Sequence, residues 1–75
     1  MPRTPRVNGM EVYRALLRDG WYEVNREGAH VQMRHPTKPD RVTAIKQRGT
    51  ILKVKTLRSM LDAAGLTDDD LRRLL

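Results

Sequence analysis

The chain has 75 residues and a net charge of +6, with 15 lysines and arginines, 9 acidic residues and no cysteine. Its length predicts one small domain that buries about 60% of the surface of its unfolded chain, which leaves little room for a deep pocket. The composition excludes disulfides and thiolate metal sites, and the absence of a long apolar run or a signal-peptide pattern predicts a cytoplasmic protein that does not enter a membrane.

The first predicted element is a helix that follows a short basic arm. Residues 1–7 contain two prolines and two arginines and are expected to form a flexible arm, with residues 8–75 as a single domain. Asn8 and Glu11 have the spacing of a capping box, which predicts that the helix begins there. Four apolar residues then recur at helical spacing: Val12, Ala15, Leu16 and Leu17.

Three short segments after this helix alternate between polar and apolar residues, as strands with one buried face do. The three segments span residues 21–27, 30–35 and 41–45. The turns between them are Gly28-Ala29 and residues 36–40. Because short turns join successive strands, the segments are expected to form an antiparallel sheet.

The alternation also assigns side chains to the two faces of the sheet. In the second strand Val31 and Met33 point to one face, and three polar side chains point to the other: His30, Gln32 and Arg34. In the first strand Tyr22 and Val24 are expected to share a face, and in the third strand two residues point inward: Val42 and Ala44.

Two further helices are predicted after the strands. The second helix covers residues 56–65 and has a stripe expected to be buried: Leu57, Met60, Leu61 and Ala64. Each of the first two helices ends on a glycine followed by an apolar residue, Gly20-Trp21 and Gly65-Leu66. This pattern predicts that each glycine has a left-handed backbone conformation and terminates its helix. Thr67 is expected to cap a short third helix with three aspartates in its first turn and two arginines in its last.

Residues 46–55 have no clear periodicity. Gly49 interrupts the segment, so both a loop and an extended strand remain open. Three apolar residues are expected either to anchor the segment or to extend a strand: Ile51, Leu52 and Val54.

Together the elements predict an α+β domain in the order α-β-β-β-α, followed by the short C-terminal helix. The two main helices are expected to pack on one face of a small three-stranded antiparallel sheet and to leave the other face exposed. His30 then points into solvent on the exposed face.

Charge and residue types favour a nucleic-acid partner. Residues 1–55 carry 12 basic and 5 acidic side chains, whereas residues 56–75 carry 3 and 4, so one region of the domain is suited to a polyanion. An imidazole exchanges a proton near neutral pH, and RNA has its own nucleophile in the 2′-hydroxyl. In this hypothesis His30 is the general acid or base, and four cations hold phosphates: Arg26, Arg34, Lys38 and Lys46.

The residues leave two other functions open. A non-catalytic RNA-binding module would bind RNA in a salt-sensitive way without cleaving it, and a protein–protein adaptor would use its basic face for an acidic partner. No metal or cofactor is expected, because two histidines without a cysteine or a nearby acidic pair do not form a metal site.

The order of motifs resembles that of the HicA toxin family over about residues 8–66. The segments concerned are "LLRDGWYEVNREGAHVQMRHPTKPDRVT" and "KTLRSMLDAAGL". They contain, in order, a Gly-Trp closing the first helix, a Gly-x-His turn, a His-Pro after the second strand, a Val-Thr strand and a Thr-Leu-Arg-Ser helix that ends in Ala-Gly-Leu.

The resemblance implies a fold like that of double-stranded-RNA-binding domains and metal-independent cleavage of mRNA. The histidine of the family's Gly-Ser-His turn, which is its catalytic residue, corresponds to His30, and the turn itself corresponds to Gly28 and Ala29. The family also implies a HicB-like antitoxin partner, and so a toxin–antitoxin hetero-oligomer.

The chain departs from the family pattern at several positions. Ala29 replaces the usual serine, Val31 replaces a frequent second histidine, and Lys55 replaces the glycine usual before Thr-Leu. A further histidine that family members often have after the third strand is also missing.

Overall fold

A helix, three strands and two more helices follow one another along the chain, and the computed structural model describes residues 5–75. The helices are α1 (Gly9–Asp19), α2 (Val54–Ala64) and α3 (Asp68–Leu74), and the strands are β1 (Tyr22–Glu27), β2 (His30–Arg34) and β3 (Val42–Ile45). The strands form one antiparallel sheet in the order β1-β2-β3. The predicted α+β architecture is confirmed, with two main helices on one face of the sheet and a short helix at the C-terminus.

The ends of α1 are set by the residues that the sequence indicated. The Asn8 side chain accepts a hydrogen bond from the Glu11 N–H at 2.9 Å, and the Glu11 carboxylate accepts one from the Asn8 N–H at 3.1 Å. At the other end Gly20 has a φ of 104°, and the Trp21 N–H donates to the Leu16 carbonyl at 3.0 Å. Trp21 is thereby turned into the core, where it is 2% exposed.

The core lies between the sheet and the helices. The second and third strands each bury two side chains: Val31, Met33, Val42 and Ala44. The helices bury eight more: Val12, Ala15, Leu16, Leu57, Met60, Leu61, Ala64 and Leu71. Val7 and Trp21, which lie outside the helices and strands, complete the core. The predicted stripe of α2 is therefore confirmed, whereas Leu17 of the predicted α1 stripe is 43% exposed. Among residues 5–75 no helix has both the length and the apolarity needed to cross a bilayer.

The boundary between the predicted arm and the predicted domain lies closer to the N-terminus than the sequence indicated. Val7, assigned to the arm, is only 2% exposed and belongs to the core, and its carbonyl accepts the Leu52 N–H at 2.8 Å. An isolated bridge between Asn8 and Ile51 continues this contact. Residues 1–4 of the expected arm lie outside the described residues.

Residues 46–53 form a loop with no strand of their own, which resolves one open alternative. Leu52 packs partly against the core and anchors the loop, as expected. Ile51 and Val54 are exposed, so their expected anchoring role was wrong, and Val54 instead begins α2, two residues before the predicted start.

The edge strand β1 contains a β-bulge, which changes the set of side chains that share each face of the sheet. Glu23 pairs with Met33 and Asn25 with Gln32, so the register shifts by one residue between them. Tyr22 consequently shares the outward face with Asn25 and Glu27, and Val24 is the unpaired residue of the bulge. All six residues of the strand are exposed. On its inner face, Glu23 contacts Tyr13 of α1 and Lys46, which follows β3.

The glycine that ends α1 is more constrained than the one that ends α2. A Cβ on Gly20 would lie 2.9 Å from the His35 Nε2 atom, whereas a Cβ on Gly65 would meet nothing within 4 Å; both residues have positive φ, at 104° and 68°. We expect Gly65→Ala to lower the free energy of unfolding by about 1 kcal/mol through backbone strain alone. Gly20→Ala adds the contact with His35 and should cost about 2 kcal/mol or more. Urea unfolding curves of the two variants measure the difference, and equal losses would contradict the assigned contact.

The N-terminal cap of α3 makes the stability of the domain depend on pH in the acidic range. The Thr67 backbone N–H donates to the Asp70 carboxylate at 3.0 Å, and this bond lowers the pKa of Asp70 below its ordinary value, with the Thr67 hydroxyl and Arg73 acting in the same direction. A lowered pKa in the folded state stabilises the fold above the ordinary carboxylate pKa of about 3.9, and the contribution is lost as the pH falls through the lowered value.

Asp70→Asn should therefore reduce the melting temperature at pH 7, and the difference from the unmodified protein should shrink below about pH 4. Thermal unfolding followed by circular dichroism from pH 7 to pH 2 measures this. Asp69→Asn is the matched control, since Asp69 pairs with Arg72 instead. A loss that is constant across the pH range would contradict the role of the Asp70 charge.

Candidate functional site

His30 is the first residue of β2 and lies between two strands. It pairs with Glu27 of β1 on one side and with Ile45 of β3 on the other. The ladder continues beyond it, because the Lys46 N–H donates to the Ala29 carbonyl at 2.8 Å. The backbone of His30 is therefore held on both sides.

The His30 side chain is exposed, as the alternation of β2 predicted. Its neighbour Val31 is fully buried, so His30 must point to the opposite face of the sheet. Within residues 5–75 no side chain or carbonyl forms a hydrogen bond or ion pair with the ring. Both ring nitrogens are therefore accessible to a ligand.

Gly28 and Ala29 form the turn between β1 and β2, directly before His30. Gly28 has a φ of 60°, and its carbonyl accepts a hydrogen bond from the Arg26 Nε atom at 3.3 Å. The turn is thus tied to β1 by a side chain and to the end of β3 by the bond from the Lys46 N–H.

A cleft opens beside His30, and we call it the β3–α2 cleft. Its walls on the sheet side come from His30, Thr43 and Ile45. On the helix side they come from Lys55, Thr56, Ser59 and Met60. The cleft has a volume of about 410 Å³, is open to solvent, and is lined mainly by apolar atoms.

The four cations predicted to contact phosphate do not share one surface. Arg34 points outward on the same strand as His30, four residues away, so their Cα atoms are about 13 Å apart. Arg26 pairs with buried Val31 and therefore lies on the helix side of the sheet. Arg34 alone of the four shares the outward face of β2 with His30.

Lys46 also belongs to the helix side, in a cluster with Tyr13 and Glu23. Its ammonium group is 3.6 Å from the Glu23 carboxylate and 4.5 Å from the centre of the Tyr13 ring. The Tyr13 hydroxyl donates to Glu23 at 2.8 Å, which lowers the pKa of Glu23 together with Lys46, while burial and the same hydrogen bond raise the pKa of Tyr13. This cluster holds the exposed β1 strand against α1 and the end of β3.

Lys38 and His35 belong to a second cluster, which joins the ends of α1 and α2. The Lys38 ammonium group donates to the Asp19 carboxylate and to the Ala64 carbonyl, both at 2.8 Å, and lies 5.8 Å from the centre of the Trp21 ring. His35 bonds through Nε2 to the Asp19 carbonyl at 2.7 Å, and its Nδ1 accepts the Thr37 N–H at 3.1 Å. We call Asp19, Trp21, His35 and Lys38 the helix-end cluster.

The two hydrogen bonds of the His35 ring determine which of its nitrogens donates and which accepts. Since the Asp19 carbonyl can only accept and the Thr37 N–H can only donate, the ring is the neutral tautomer with its proton on Nε2. The ring also packs edge-on against Trp21, with centroids 5.4 Å apart. Both nitrogens therefore serve the fold.

Apart from His30, none of the residues that line the cleft was predicted to be a site residue from the sequence. Lys55, Thr56 and Ser59 lie along the side of α2 that faces His30. The available signal was the position of Ser59, three residues after Thr56 and four after Lys55, which places it beside both on the helix surface. The sequence could not show that this side of α2 meets the end of β2, and Lys55 was noted only as the replacement of a glycine.

Among the described residues no group of three or more histidine, cysteine or acidic side chains is arranged to hold a metal ion. Residues 9–66 of the chain match the model of one protein family, described as the HicA toxin of bacterial toxin–antitoxin systems. No curated protein matches the chain.

The helix-end cluster and the β3–α2 cleft predict stability effects of different size for their lysines. Lys38→Ala removes a charged hydrogen bond to each of the first two helix ends, and we expect it to lower the free energy of unfolding by about 1–2 kcal/mol. Lys55→Ala changes an exposed helical position beside the cleft and should alter stability by less than about 0.5 kcal/mol. Urea unfolding of both variants measures this, and equal stabilities would contradict the structural role of Lys38.

Proposed function

Because the chain belongs to the HicA toxin family of bacterial toxin–antitoxin systems, we propose that it is a metal-independent endoribonuclease that cleaves mRNA in the cytoplasm and uses His30 for proton transfer. The observation that carries the proposal is the placement of His30. Its imidazole is exposed, has no protein partner among residues 5–75, and stands at the mouth of a cleft large enough to admit part of a nucleotide.

RNA cleavage at such a site needs few groups. The 2′-oxygen attacks the adjacent phosphorus, the bond from phosphorus to the 5′-oxygen breaks, and the products are a 2′,3′-cyclic phosphate and a 5′-hydroxyl. One proton leaves the 2′-oxygen and one is delivered to the 5′-oxygen. His30 carries one of these two transfers, and solvent carries the other.

Two cations are placed to hold the RNA backbone. Lys55 lines the same cleft as His30 and is the nearer candidate for the phosphate that reacts, where it would stabilise the charge of the transition state. Arg34 is about 13 Å from His30 along the strand, so it is suited to a neighbouring phosphate. Lys38, Lys46 and Arg26 are engaged elsewhere in the fold and contribute less to binding.

The proposed binding site of the antitoxin is the same surface that binds RNA. The HicB-like antitoxin implied by the family is proposed to cover the outward face of the sheet and to occlude His30, which would keep the toxin inactive. Acidic or backbone-carbonyl groups of the antitoxin would then take the positions that RNA phosphates occupy at Arg34 and Lys55.

Replacing His30 tests the catalytic role directly. We expect His30→Ala to reduce RNA cleavage by about 10²–10⁴-fold and to abolish toxicity on expression. Stability should change by less than about 0.5 kcal/mol, since the side chain is exposed. The assay uses purified protein and a labelled RNA in the presence of EDTA, with unfolding curves of both proteins.

Thr50→Ala, at an exposed loop position, is the control for purification and handling. If His30→Ala cleaves at the original rate, the assignment of His30 is wrong. If neither protein cleaves but both bind RNA, the chain is the non-catalytic RNA-binding module of the same fold. If neither binds RNA, the proposal of an RNA substrate fails.

A further inference from the structure

The β3–α2 cleft has a composition that phosphate binding alone does not explain. Among residues 5–75, Lys55 is the only lysine or arginine in its lining, and most of that lining is apolar. Ile45 and Met60 supply apolar surface. Met60 belongs to the core and is almost fully buried, whereas Ile45 is half-buried, so the Met60 side of the cleft has a fixed position. A site built only for phosphate would instead have several cations and backbone N–H groups.

Three hydroxyl groups surround this apolar surface. Thr43 lies on β3, and Thr56 and Ser59 lie on α2, so the hydroxyls enter the cleft from two sides. In the described part of the chain none of the three forms a hydrogen bond with a side chain or a carbonyl. Each can therefore donate to and accept from a ligand.

An apolar surface edged by hydroxyl groups suits a flat ring with polar atoms along its edge. A nucleobase has this form, since its faces are apolar and its edge carries both donors and acceptors. A purely apolar ligand would leave three hydroxyls without partners, and a phosphate would leave the apolar surface without contacts. Of the parts of an RNA strand, the base is the one that uses both features.

We propose that the β3–α2 cleft binds one unpaired RNA base, next to the phosphate that reacts at His30, and that this contact gives the protein a preference for certain sequences. The inference rests on the proposed ribonuclease function. Met60 and Ile45 contact the face of the base, and the hydroxyls of Thr43, Thr56 and Ser59 read its edge.

The geometry selects single-stranded RNA at this position. A base within a duplex is stacked on both faces and paired along its edge, so it cannot enter a cleft lined on both sides. A base in a loop or an unpaired strand can turn into the cleft while its phosphate stays at the mouth, beside His30 and Lys55. We therefore expect cleavage in unpaired regions of RNA.

Ser59 is the residue with which to test the site. It is exposed, lies in the interior of α2, and its side chain forms no hydrogen bond within residues 5–75. Alanine has a higher helix propensity than serine, so Ser59→Ala should fold at least as well as the unmodified protein. The experiment compares cleavage of short single-stranded RNAs that differ in one base at each position flanking the cut.

The unmodified protein should prefer certain bases at one position, and Ser59→Ala should reduce that preference about fivefold, the effect of one hydrogen bond. Thr43→Val, which keeps the shape of the side chain, should do the same from the opposite wall. Thr50→Ala, an exposed hydroxyl outside the cleft, should leave the preference unchanged. Equal preferences in all four proteins, or no preference in any, would overturn the inference.

A binding experiment separates this inference from the proposed function. His30→Ala is mixed with a short single-stranded RNA, and nuclear Overhauser contacts are sought between base protons and the methyl groups of Ile45 and Met60. Such contacts support the cleft even if no variant cleaves RNA, in which case only the ribonuclease proposal fails. Binding or cleavage without these contacts overturns the cleft alone, and the absence of any RNA binding overturns both.

Discussion

The burial of Val31 and Met33 under the helices controls the orientation of everything that surrounds His30. Both side chains are completely buried, and each pairs across the sheet with a buried residue of β3. Because side chains alternate along a strand, His30 and Arg34 can then point only outward. A shift of one residue in the register of β2 would place the imidazole in the core and two apolar side chains in solvent, so the hydrophobic core itself enforces the exposure of the histidine.

The same residue types take different roles at different places in the fold. His35 and Lys38 saturate polar groups at the ends of α1 and α2, and Lys46 pairs with Glu23 beneath β1. Helix ends leave carbonyl groups without partners, and these side chains supply them. Within residues 5–75, the side chains of His30 and Lys55 form no such hydrogen bond or ion pair. A histidine and a cation that contribute nothing to the fold are available for a ligand, which is why the two share the proposed site.

The position of α2 creates the cleft. Its apolar stripe packs into the core through Leu57, Met60 and Leu61, and this fixes the rotation of the helix about its axis. The next side around the helix then faces the outer residues of β3 and the start of β2. Lys55, Thr56 and Ser59 reach the neighbourhood of His30 for this reason, although 25 or more residues separate them in the chain.

The sequence by itself determined the order of the helices and strands, the helix caps and the outward direction of His30, because each depends on residues within one turn or one strand of each other. Capping boxes, glycine helix ends and two-residue alternation are local patterns, and they predicted α1, α2, α3 and the hairpins. Only the tertiary structure decided the bulge in β1, the burial of Val7, the separate surfaces of the four predicted phosphate contacts, and the meeting of α2 with the end of β2. Each of these depends on how distant segments pack and pair, and no periodicity within a single segment records which distant side chain will share its surface.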